Sequence, residues 1–126
     1  MQVGGEHYAS EYQHWDLMID LYGPSYLIGY ATKYLVRYKK KGNPKLDLEK
    51  AIHVIEKLSS LYASSGKFEH RLPRHPPALE MFSLFAKANN LDGDMVRIFH
   101  LLLGYTSVPE IELAKSLTEK LLRELK

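Results

Sequence analysis

An all-α fold is expected from three features of this 126-residue chain. Apolar residues recur at i, i+3, i+4 and i+7 along successive segments, the spacing of one helical face. No segment alternates apolar and polar residues as a half-buried strand does. Clusters of helix-breaking residues, Gly23-Pro24-Ser25, Gly42-Asn43-Pro44 and Ser64-Ser65-Gly66, separate the periodic stretches. The expected architecture is a helical hairpin plus further helices packed as a small bundle, about six helices. Residues 1–66 would hold a basic hairpin, and 67–126 a C-terminal helical extension packed on it, within one compact domain.

Residues 1–9 carry Gly4-Gly5 and no period, which reads as a loop or arm. A short amphipathic helix follows over 11–22, with Trp15, Leu17, Met18, Ile19 and Leu21 on its apolar side. Gly23-Pro24-Ser25 ends it and opens a second helix from about Ser25 to Lys40, proline being tolerated in a first turn. Leu27, Ala31, Tyr34, Leu35 and Tyr38 form the core stripe of that helix. A third helix, about Asp47 to Ser64, presents Leu48, Ala51, Ile52, Ile55, Leu58 and Tyr62 to the core. The three prolines of 66–78 read as a surface linker. Helices are expected over about 77–89, 93–104 and 109–125, the middle one apolar nearly all round. Ser107 and Glu110 have capping-box spacing before the last. Its seam of Ile111, Ala114, Leu117, Leu121, Leu122 and Leu125 closes the core or meets another subunit.

Composition narrows the function classes. With 45% apolar and 25% charged residues, the chain is typical of soluble globular proteins. Zero cysteines exclude disulfides, thiolate catalysis and zinc–cysteine sites. No apolar run approaches a membrane span, and the N-terminus lacks signal-peptide features, so a cytoplasmic location without a membrane partner is expected. The formal charge of +2 conceals a local concentration of cations. Between Asp20 and Asp47 there is no acidic residue, yet Lys33, Arg37, Lys39, Lys40, Lys41 and Lys45 all fall there. Five of the nine tyrosines, at 22, 26, 30, 34 and 38, lie in the same stretch.

That basic, tyrosine-rich face is the first candidate for chemistry. Tyr26, Tyr30, Lys33, Arg37 and Lys41 lie on one stripe, with Gly29 beside the first two. Arginine offers phosphate a planar fork and lysine a mobile point charge, so Lys33 and Arg37 can converge on one anion. Tyr26 or Tyr30 can stack on a base, and Gly29 admits a ligand close to the backbone. The alternative is a solvated basic helix end favoured by the helix dipole. Asp47, Lys50 and His53 follow at successive i+3 steps. Asp47 either caps its helix or orients Arg37 or Lys33 across the hairpin. Lys50 suits a phosphate contact and His53 proton transfer or a base contact, or both belong to a solvated face. His7 and Tyr8 follow the Gly4-Gly5 pair, either an anion-binding nest or a flexible arm. There is no P-loop sequence and no G-x-G-x-x-G. His70-x4-His75 and Asp92-Gly-Asp94 lack further ligands at useful spacing, so no metal site is assigned.

The order of polar positions in the first half resembles a family of small tailed-phage proteins labelled nucleotide kinases. The matching residues are His7-Tyr8, Trp15-Asp16, Gly29, Lys33-Tyr34-Leu35, Arg37-Tyr38, Lys41-Gly42, Asp47-Leu48, Lys50-Ala51 and His53, spanning about 5–62. Two positions depart from that pattern: Tyr30 replaces an asparagine and Val54 a tyrosine. The resemblance implies an oligomeric, P-loop-free enzyme that passes phosphate from a nucleoside triphosphate to deoxynucleoside monophosphates, in a host cytoplasm. Together, the residue reading and the resemblance place catalysis on Lys33, Arg37 and Asp47, and nucleotide contacts on His7, Tyr8, Tyr26, Gly29, Tyr30, Lys41, Lys50 and His53. Magnesium dependence is expected to be weak or absent, with Asp16 and Asp47 the carboxylates to test as ligands or bases. Two other classes suit the same face. One is a protein that holds a nucleotide without turnover. The other is an interaction protein gripping a host protein or nucleic acid, since tyrosine and arginine also enrich interfaces.

Overall fold

The computed structural model describes residues 12–40, 42–65, 76–91, 93–103 and 107–125. Every regular element among them is a helix: α1 (His14–Tyr22), α2 (Ser25–Arg37), α3 (Pro44–Ser65), α4 (Pro76–Ala88), α5 (Gly93–Leu103) and α6 (Val108–Arg123). The all-α bundle expected from the apolar period is the fold observed.

Four helices close a ring. α2 packs on α3, α3 on α6, α6 on α5, and α5 back on α2, while α1 lies against α2. α3 is the longest element and serves both halves of the sequence. Leu48, Ala51, Ile55 and Leu58 on its inner face are fully buried, in one cluster with Leu27, Ala31 and Leu35 of α2 and Ile111 and Ala114 of α6. Polar bridges sew the same seam. Ser59 Oγ donates to Glu112 Oε2 at 2.5 Å, and Lys115 Nζ lies 3.1 Å from Glu56 Oε2. On the far side, Lys120 Nζ reaches Asp94 Oδ2 at 3.0 Å, joining α6 to α5.

Several details differ from the sequence reading, each for a physical reason. Only Ile19 of α1 is buried, while Leu17 and Leu21 remain exposed, because nine residues lying against α2, with Trp15 and Asp16 reaching α3, cover one side of the helix. Ile28 and Val54, outside the expected stripes, are buried because α2 and α3 are covered on more than one side. Thr118 joins the core as well, its hydroxyl satisfied by donating to the Ala114 carbonyl at 2.8 Å. Ser107 does not close a capping box: its Oγ donates to the Glu110 carboxylate at 3.1 Å. α4 starts at Pro76, inside the expected linker, since proline suits a helix's first positions. The remainder of that linker and the N-terminal arm lie outside the described residues.

Leu58 joins the packing of both halves, so truncating it tests the shared core. Leu58→Ala should lower the unfolding free energy by about 2–5 kcal/mol in urea titration. A loss well under 1 kcal/mol would mean that the α3 face is not a close-packed interior.

Candidate functional site

The turn joining α2 to α3 sets the site. Gly42 has φ +79°, a left-handed conformation that glycine takes without a Cβ penalty. Asn43 then caps α3, its Oδ1 accepting the Leu46 amide at 3.0 Å. Of the two roles open to Asp47, capping is thus filled by Asn43. Asp47 turns inward from the next position, and its Oδ2 lies 3.7 Å from Arg37 Nε across the hairpin. The Asp47 side chain is only 7% exposed, the Arg37 side chain 49%. Among the described residues, the buried Oδ2 accepts no hydrogen bond. An acceptor with that much burial favours keeping a cation at hand. The carboxylate therefore positions Arg37 and leaves much of the guanidinium open to solvent.

Beside this pair, the tyrosines of α2 form a row. Tyr26 meets Tyr30 edge-on with ring centroids 5.4 Å apart, and Tyr30 stacks on Tyr34 at 5.5 Å and 17°. Burial, together with the neighbouring Tyr30, raises the phenol pKa of both Tyr26 and Tyr34, so both stay protonated. Cations from two helices border the row. Lys33 Nζ lies 6.0 Å from the Tyr30 centroid, and Lys50 Nζ, from α3, lies 5.5 Å from that of Tyr34.

Further along α3, His53 stacks on Trp15 of α1 at 5.3 Å and 26°. Lys57 Nζ lies 5.2 Å from the Trp15 ring and 3.2 Å from Asp16 Oδ1. The other Asp16 oxygen accepts the Gln13 amide at 3.0 Å, fastening the start of α1. Burial, the largest cause, holds the His53 pKa below its ordinary value. His53 is consequently a neutral imidazole at neutral pH.

The structure brings Lys33, Arg37, Asp47, Lys50, Tyr26 and Tyr30 to one hairpin face, and His53 to its α1 end. Gly29 is exposed on the flank of α2 turned toward α5. Lys40, from the basic run, donates to Asn89 Oδ1 beyond the end of α4. His7, Tyr8 and Lys41 lie outside the described residues, as do His70, His75 and Asp92. Two members of the face were not expected. Tyr34 stands on its shoulder rather than deep in the core stripe, and Lys57 extends the row Asp47, Lys50, His53 by one further turn. That i+3, i+4 continuation is readable in the sequence; the ring that Lys57 meets belongs to another helix and is not.

Residues 4–56 match DUF3310, a family described as a protein of unknown function. The DUF3310 match takes in α1, α2 and the first half of α3, and so all the hairpin cations and tyrosines named here except Lys57. No curated protein and no solved structure matches the chain.

The depressed His53 pKa gives a pH dependence. Below about pH 6.5 the unfolded chain takes up a proton that native His53 resists, so stability falls with pH there. His53→Phe retains a ring for Trp15 and removes the titration. The variant should lose less thermal stability than the parent between about pH 7 and 5. Equal losses would show that His53 contributes nothing to the acid limb.

Proposed function

We propose that the α2–α3 hairpin face binds the phosphates of a nucleotide, and that its reaction is phosphate transfer to a deoxynucleoside monophosphate. The observation that carries the binding is the convergence of Lys33, Arg37 and Lys50 around the stacked Tyr30–Tyr34 pair. Arg37 is held from behind by Asp47 with its side chain half exposed, a presentation that suits a guanidinium fork on phosphate. Lys33 adds a mobile charge beside the Tyr30 ring and Lys50 one beside Tyr34.

Phosphoryl transfer is chiefly positioning and charge stabilisation, which such a clamp supplies. The acceptor is a phosphate oxygen, largely ionised at neutral pH because its second pKa is about 6. No side chain has to remove a proton from it. In the step, an acceptor oxygen forms a bond to the donor's terminal phosphorus as the bridging bond to the donor breaks. Two diphosphates result from a monophosphate and a triphosphate. Asp47, buried behind Arg37, has a positioning role in this reading rather than that of a base. The kinase class itself rests on the resemblance of the first half to phage proteins with that label. The homo-oligomer implied there has exposed Leu17, Leu21 and Tyr22 of α1 available for contact.

A second reading is nucleotide holding without turnover. It is favoured by Tyr30, which fills the resemblance's asparagine position and is engaged by rings on both sides.

Phosphorus NMR of the protein with a deoxynucleoside monophosphate and a nucleoside triphosphate, with and without magnesium, separates the two. New diphosphate resonances are expected, and they should disappear in the Lys33→Ala/Arg37→Ala double variant while its helical spectrum persists. Shifted nucleotide lines without turnover would replace transfer by holding. Unchanged lines across all bases would remove both readings.

A further inference from the structure

α2 borders a concave surface on its other flank. Gly29, Thr32, Lys33 and Val36 form one wall, and Phe85 of α4 with Phe99 of α5 the other, around a volume of about 290 Å³. That is near the lower end of small-molecule sites, roughly 300 Å³ upward. Phe99 is nearly buried and makes a floor, whereas Phe85 is 39% exposed, with its ring centroid 6.0 Å from that of Phe99. A Cβ built on Gly29 meets no atom within 4 Å, so this stretch of helix backbone is open to a flat group. The Thr32 hydroxyl donates back to the Ile28 and Gly29 carbonyls, at 2.9 and 3.1 Å, and keeps acceptor capacity for a donor on a ring edge.

The groove is held in place on both sides. Asn89 accepts from Lys40 at the end of α2 while its amide donates to the Phe85 carbonyl at 2.9 Å, tying α4 to α2. Phe82 packs on Phe99 and His100, tying α4 to α5. Lys33 belongs to two surfaces: it lines this groove and lies over the Tyr30 ring of the cationic face.

An apolar slot with one aromatic wall and one cation at its mouth suits a ligand that is flat and apolar at one end and anionic at the other. We propose that the groove receives the base of a mononucleotide whose phosphate lies on Lys33 and Arg37. The inference rests on the phosphate reading of the hairpin face and extends it. The base would be bound by α4 and α5, beyond the DUF3310 match, rather than by Tyr26 or Tyr30. Stacking on Phe85 tolerates any base, since each presents a π face.

Calorimetric titration with each deoxynucleoside monophosphate and with inorganic pyrophosphate tests this on the full chain. Two variants complete the set: Phe85→Ala removes the wall, and Gly29→Leu fills the slot with a better helix former. Nucleotides should bind the parent chain more tightly than pyrophosphate, and either variant should weaken nucleotide binding about ten-fold or more. Pyrophosphate affinity should change less than about two-fold, within the ordinary effect of a surface substitution. In parent protein with labelled phenylalanine, nucleotides should move the Phe85 ring resonances and pyrophosphate should not. Nucleotide affinity unchanged in both variants, or pyrophosphate binding as tight as nucleotide binding, would overturn the groove and leave the phosphate face standing. If neither ligand binds the parent chain, the phosphate reading fails and the groove proposal with it.

Discussion

The structure depends on α3 being buried along its length by partners from both ends of the sequence. Leu48 and Ala51 lie at its start and Leu58 near its end, all inaccessible to solvent. α2 covers one side and α6 another, so neither the hairpin nor the C-terminal helices carry a separate core. Burying a Leu- or Ile-sized side chain contributes about 1.5–3 kcal/mol, whereas an exposed ion pair contributes about 0–1. The seam is therefore maintained by apolar area, and Lys115–Glu56 mainly fixes its register.

That rigidity sets the outer face of the hairpin. Because α2 and α3 are locked by their inner stripes, Arg37 and Asp47 meet across the turn and Lys50 reaches Tyr34. Much of the polar chemistry here consists of side chains oriented by others: Asp47 behind Arg37, Asp16 beneath Lys57, Asn89 between Lys40 and the Phe85 carbonyl. The hairpin face and the α4–α5 groove are neighbours because one helix, α2, shows a cation–tyrosine stripe on one flank and Gly29, Thr32 and Val36 on the other. Lys33 stands where the flanks meet.

Helix existence was legible in the sequence because each segment repeats its apolar residues at a helical period between glycine or proline breaks. Leu27, Ala31, Leu35 and Tyr38, and Leu48, Ala51, Ile55, Leu58 and Tyr62, are core residues for that reason. Tyr34 and Ile52 of the same expected stripes are only half-buried because they sit at the stripe edges. Boundaries and minor faces were not, since they depend on neighbours. α1 exposes Leu17 and Leu21 because no described helix covers that side, and Thr118 is buried because its hydroxyl can bond within its own helix. Of the two roles left open for Asp47, the structure takes the pairing with Arg37, because Asn43 caps α3 in its place; local propensity does not separate the two.

For the candidate site, the sequence by itself determined the inventory. It concentrated Lys33, Arg37 and Lys50 with tyrosines at helical spacing, and it kept acids out of the stretch before Asp47. Local spacing suffices for that, because residues three and four apart on one helix must share a face. Only the tertiary structure decided which groups meet between helices. It set Asp47 against Arg37, laid His53 on Trp15, and brought Phe85 and Phe99 opposite Gly29. Such contacts follow from how helices distant in sequence pack on a common core, and no local periodicity encodes that rotation.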